Sequence, residues 1–161
     1  PWMAKNGIHT SHIFDTNAAT KKHFDLYREL WQKQKGDPNR INNGASEPKQ
    51  GQTRHVYIAP TDAEAIEEAR GAWKAWCDNI NYLWNVGNSD FLKWLYNFDA
   101  MLADEKIIAG SPQTVKEQVW RAIEESGINY FISVFAWGNI PSENAMRSIN
   151  YFVNDVMPGS R

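Results

Sequence analysis

The run Asn129-Tyr-Phe-Ile-Ser-Val-Phe135 constrains the fold of this chain more than any other feature. It is almost wholly apolar, lacks the alternation of a half-solvated strand, and so reads as a strand buried on both faces of a parallel sheet. A helical pattern stands on each side of it. Upstream, Ile107-Ile-Ala-Gly110 leads to Ser111 as N-cap and Pro112 at the first helical position. Val115, Val119, Ala122 and Ile123 form the buried stripe, and Gly127 sits where a left-handed C-terminal residue is wanted. Downstream, Ser142 is placed to cap a helix whose inner stripe is Ala145, Met146, Ile149, Phe152, Val153 and Val156, with Glu143 and Arg147 paired on its outer side.

The same alternation recurs toward the N-terminus. Residues 8–14 are rich in β-formers, and Phe24, Tyr27, Leu30 and Trp31 follow at helical spacing. From about residue 36 to 51 the composition turns to Asn, Gly, Pro, Ser and Gln without periodicity, which predicts a flexible loop. Arg54-His-Val-Tyr-Ile-Ala59 is a second strand, and Thr61 to Glu64 a capping box opening a helix through Ile66, Ala69, Trp73, Trp76 and Ile80. Asn85 to Ser89 then breaks an aromatic-rich stretch into two helices. Strands alternating with helices over short connections predict an α/β fold with parallel strands and covering helices, in one domain over residues 1–161. Three convincing strands, near 8–14, 54–59 and 129–135, are too few for a closed barrel, so the chain is expected to be incomplete.

Composition narrows the class of function. With a formal charge of −2 and pI near 6.1 there is no electrostatic case for nucleic acid or an anionic membrane as partner, and a small molecule or protein is the expected one. No apolar run approaches the roughly 20 residues of a membrane span. The single cysteine, Cys77, cannot form an internal disulfide and no signal-like stretch opens the chain, so a cytoplasmic setting is expected.

Three stretches, in order, carry a resemblance. They are Arg54-His-Val-Tyr-Ile-Ala-Pro-Thr-Asp-Ala-Glu-Ala65, then Ile108-Ala-Gly-Ser-Pro-Gln-Thr-Val-Lys-Glu-Gln118, then Gly127 to Phe135 running on to Trp137-Gly138, Pro141, Arg147-Ser148 and Val156-Met157-Pro158. Together they resemble the C-terminal portion of bacterial luciferase-like, flavin-dependent monooxygenases. The resemblance implies the C-terminal part of a TIM-type (β/α)8 barrel. It also implies reduced FMN (F420 in some branches), often O2, and a small organic substrate. Strands that in the family carry most flavin-phosphate contacts and the N-terminal catalytic residues have no counterpart here. The expected partner is therefore the missing N-terminal half of the barrel or a self-associating copy, making a homo-oligomer. As an alternative, the chain is a truncated, non-catalytic flavin-binding or interaction protein. No catalytic residue is assigned.

Ligands of TIM barrels bind beyond the carboxyl ends of the strands, which makes the loop after residue 135 the best-placed candidate. Strand parity assigns Phe131, Ser133 and Phe135 to the barrel interior. Ser133, Phe135, Trp137 and Gly138 are accordingly the expected cofactor-binding residues, against the alternative of a plain turn at Gly138. Trp84, Phe91 and Trp94 are the expected wall of an apolar substrate pocket, against ordinary helix packing. Gly110 and Ser111 open a helix and could hold a phosphate, against a plain N-cap. His9 and His12 point to opposite faces of a strand, and no cysteine or carboxylate cluster completes a ligand set, so no metal site is expected.

Overall fold

A computed structural model describes residues 1–157, so Pro158 of the matched motif lies outside the described residues. The elements in order are α1 (Trp2–Lys5), β1 (Thr10–Ile13), α2 (Asn17–Gln34), β2 (Gln50–Ile58), α3 (Asp62–Val86), a 3-10 turn (Lys93–Tyr96), α4 (Phe98–Ala103), β3 (Ile107–Gly110), α5 (Pro112–Ser126), β4 (Tyr130–Val134) and α6 (Ser142–Tyr151), which continues as a π-helical turn over Phe152–Val156. The chain groups into two compact units. One comprises Pro1–Arg54 with Trp120–Ile132, the other His55–Val119 with Ser133 onward.

In the first unit, β1 runs parallel to the beginning of β2, Thr10 opposite Gln50 and Ile13 opposite Thr53. The core beside them is Ala4, Phe24, Tyr27, Trp31 and Ile128, with Leu30, Ala45, Ile123 and Phe131 packed against it. Each of the larger side chains gains roughly 1.5–3 kcal/mol on burial, which is what holds α2 in place. Thr16 caps α2, its hydroxyl accepting from the Ala19 amide.

β2 begins at Gln50, within the segment expected to be a flexible loop, because its polar residues are satisfied by α2 and the turn before it. Gln50 Nε2 donates to the Phe24 carbonyl, Gln52 Nε2 to Asn17 and Thr20, and Arg54 Nη2 to the Asp15 carbonyl. Buried polar groups partnered in this way cost little, while looking like loop in a hydropathy reading. The rest of the expected loop is anchored by Arg40, buried with its guanidinium 4.3 Å from the centre of the Trp31 ring.

In the second unit, β3 runs parallel to the end of β2, His55 opposite Ile107 and Ile58 opposite Gly110. β3 is a strand beyond the three expected, its four residues fully buried. β4 pairs with β2, both strands being divided between the two units. α3 follows a Thr61 cap whose hydroxyl accepts from Glu64, and Ala65, Ala69 and Ala72 make its buried stripe small enough for close approach. Ser142 does not cap α6: it is the first helical residue, and no side-chain cap bond forms there. Arg147 turns not to Glu143 but to α3, with Nη2 2.5 Å from Glu68 and Nη1 3.6 Å from Glu64.

Candidate functional site

The end of β2 builds the site in the second unit. Period-two alternation puts His55 and Tyr57 on one face, and α3 covers them. His55 lies edge-on to Trp73, Trp76 and Trp137, with ring centres 4.8–5.6 Å apart. Trp73 and Trp76 stack at 4.6 Å. Burial among these rings pushes the His55 imidazole down to about pKa 4, so it is neutral at physiological pH. Its role there is that of a flat, partly polar filler.

Tyr57 reaches further. Its hydroxyl donates to Glu68 at 2.7 Å and accepts from Asn144 Nδ2 at 3.0 Å and Arg147 Nη2 at 3.3 Å. Burial, reinforced by the Glu68 hydrogen bond, lifts the phenol to about pKa 12. Tyr57 therefore stays protonated, its proton committed to Glu68. Beside it opens a cleft of about 300 Å3 lined by Tyr57, Glu68, Ala72, Asn139, Pro141 and Asn144. The cleft lies beyond the carboxyl end of β2, beside the residues that follow β4.

The expected cofactor-binding residues are placed differently. Trp137 is 5 % exposed, packed edge-on against His55, Tyr57 and Trp73. It lies under α3 rather than at an open mouth. Gly138, at φ +60, closes the turn so tightly that a Cβ there would overlap the Ala72 carbonyl oxygen. Along β4, Phe131 packs against the core of the first unit and Phe135 lies edge-on to Phe152. Ser133 shares their parity and is half-buried, as is every residue of β4. The strand is thus less buried than its composition suggests.

Trp84, Phe91 and Trp94, the expected wall of a substrate pocket, lie at the surface. They are 42, 66 and 45 % exposed, Trp84 and Phe91 leaning together at 5.2 Å. The N-terminus of α5 is already provided with an anion. The Ser111 amide donates to Asp62 Oδ1 at 2.6 Å and Thr114 Oγ1 to Asp62 Oδ2 at 3.0 Å, which holds the Asp62 carboxyl below its usual range. Phosphate at Gly110 and Ser111 would have to displace this carboxylate. Cys77 is fully buried near the Leu95 carbonyl, its thiol pushed up to about 12 by burial, so it is inert as a nucleophile. Glu68 and Asn144, which complete the Tyr57 network, carry no signal in the sequence that sets them apart from other polar helix residues.

No family model matches the chain. It is 26% identical over 175 residues to 2,5-diketocamphane 1,2-monooxygenase 1 of Pseudomonas putida, an alignment covering 99% of this chain and 46% of that relative. The solved structure of the monooxygenase RslO1 from Streptomyces bottropensis superposes with a TM-score of 0.73 at 18% identity, over 97% of this chain and 43% of the other. The oxygenating constituent of 3,6-diketocamphane monooxygenase from Pseudomonas putida, a type II Baeyer–Villiger monooxygenase solved with FMN, gives 0.66 at 20% identity, over 98% and 44%. The fold is that of luciferase-like flavin monooxygenases. The chain spans less than half the length of these proteins. Among the described residues no helix is long and apolar enough to cross a membrane.

FMN requires an anion cradle at one end and a flat slot at the other. Within this chain the helix N-terminus of α5 is held by Asp62, Arg147 is held by Glu64 and Glu68, and Trp137 is enclosed by aromatic rings. These residues, as arranged, do not fit the cofactor's phosphate.

Proposed function

We propose that this chain acts as the C-terminal portion of a luciferase-like flavin-dependent monooxygenase that oxidises a small organic substrate with reduced FMN and O2. The match of fold over 97–98% of the chain carries this reading. On this reading flavin is held mainly by surfaces contributed from outside this chain, since Asp62 occupies the α5 N-terminus and Glu64 and Glu68 hold Arg147. Its contribution is on the substrate side, at the cleft beside Tyr57. There Asn139 and Asn144 present amides, Ala72 and Pro141 present apolar surface, and Tyr57 is held rigid by Glu68 and Arg147. A small organic molecule with one acceptor oxygen suits that lining.

By itself the chain does not turn over, because a reaction whose barrier falls by roughly 7–11 kcal/mol through positioning cannot proceed with half of its positioning surfaces. Incubation of the chain with reduced FMN, O2 and an aldehyde or cyclic ketone is expected to give no oxygenated product. Product formed after contaminating oxygenases are removed would overturn this. A second reading, a non-catalytic protein that self-associates, is favoured by the exposed Tyr82, Leu83, Val86 and Phe91, each at least 65 % exposed. A monomer by light scattering at high concentration would count against it.

A further inference from the structure

In the first unit, three side chains converge that the strand spacing of His9 and His12 does not foreshadow. His12 Nδ1 lies 2.7 Å from Asp15 Oδ2, and His23 Nδ1 lies 3.3 Å from the same oxygen. The two imidazoles stack with centres 4.9 Å apart and planes 25° from parallel. All three ligand atoms fall within 4.8 Å of one another. We propose that His12, Asp15 and His23 form a three-ligand site for a divalent transition metal of the zinc class.

The geometry suits such an ion. Ligand atoms at about 2.0–2.1 Å from zinc stand roughly 3 Å apart in tetrahedral or octahedral coordination, and the two nitrogen–oxygen separations bracket that value. Two imidazoles and one carboxylate are also the donor set that zinc, cobalt and nickel prefer over calcium or magnesium. Three protein ligands leave further positions open. His12 and His23 border a cleft of about 210 Å3 shared with Phe24, Tyr27 and Leu30, from which water can complete the shell.

The backbone is built to hold these ligands. Phe14 is in the left-handed region at φ +64, a strained conformation for a side chain of its size. That turn brings Asp15 back beside His12 of β1 directly before α2 begins. The buried Arg54 fixes the turn by donating to the Asp15 carbonyl at 2.7 Å, and Thr16 starts α2 so that His23 arrives on its second turn. The His12 ring is braced edge-on by Phe24 at 5.0 Å. His9, by contrast, accepts from the Lys49 amide and is occupied elsewhere.

The test is titration of the full chain with Zn2+ by calorimetry and with Co2+ by visible absorption. One ion per chain is expected, with Co2+ showing the spectrum of mixed nitrogen and oxygen ligation. His23→Gln, at a half-exposed position, and His12→Gln should each weaken Zn2+ binding by roughly tenfold or more, while His9→Gln leaves it unchanged. In the unaltered chain, Cu2+ should broaden the NMR signals of the His12 and His23 rings first. Unchanged affinity in both variants, broadening confined to His9 or His55, or no binding at millimolar Zn2+ would overturn the proposal.

Discussion

Ser148 Oγ holds both backbone groups of Ile58, accepting from its amide at 3.0 Å and donating to its carbonyl at 3.1 Å. One buried hydroxyl on α6 thereby completes the hydrogen bonding of the last residue of β2, next to the Tyr57 cleft. Ser148→Ala leaves a buried N–H and C=O unpaired, and a loss of about 1–3 kcal/mol is expected. Urea unfolding of the chain checks this, and a change under about 0.5 kcal/mol, the scale of an ordinary surface substitution, would contradict it.

His55 gives the fold an acid sensitivity. Its folded pKa of about 4 lies below the ordinary value of 6.5, so between those pH values the unfolded chain binds a proton that the folded chain refuses. Stability therefore rises with pH across that window and falls on acidification, by at most about 3 kcal/mol. Unfolding midpoints at pH 7 and pH 5 measure it, and His55→Phe should flatten the slope. An identical slope in that variant would show that other groups cause it.

Gly138 is required both by its positive φ and by its approach to Ala72. Gly138→Ala should destabilise the chain by roughly 1–3 kcal/mol and, by shifting the turn, change the fluorescence of Trp137. A variant of unchanged stability and emission would mean that the turn yields readily to a side chain.

Tyr57→Phe removes the hydroxyl shared by Glu68, Asn144 and Arg147. A loss of roughly 1 kcal/mol is expected, because Arg147 keeps its bond to Glu68. In an assembled enzyme the substrate KM should rise more than kcat falls. An unaffected KM would remove the cleft from the substrate side.

Much of this architecture is legible in the order of the residues, and the exceptions have identifiable causes. Gly127 adopts φ +67 at the end of α5, Ser111 caps α5 with its hydroxyl 3.4 Å from the Thr114 amide, and β4 occupies the apolar run. The first half of β2 escapes a hydropathy reading because Gln50 and Gln52 satisfy α2 instead of joining an apolar pattern. β3 looks like no more than the approach to a helix, since four residues show no period. β4 shows no alternation of burial from which an inward face could be read, all five residues being half-buried. Site residues are harder. Asp62 at the α5 N-terminus, Glu68 and Asn144 at Tyr57, and His23 beside His12 meet partners between 11 and 87 residues away, and no local spacing records such pairings.

If the proposed role holds, this chain should be able to replace the matching 46% of its Pseudomonas putida relative. Such a chimera can be titrated with FMN by fluorescence quenching, with circular dichroism to establish that it is folded. FMN affinity within about tenfold of the parent, or about 1.4 kcal/mol, is expected. A folded chimera that binds no FMN would contradict the proposed role.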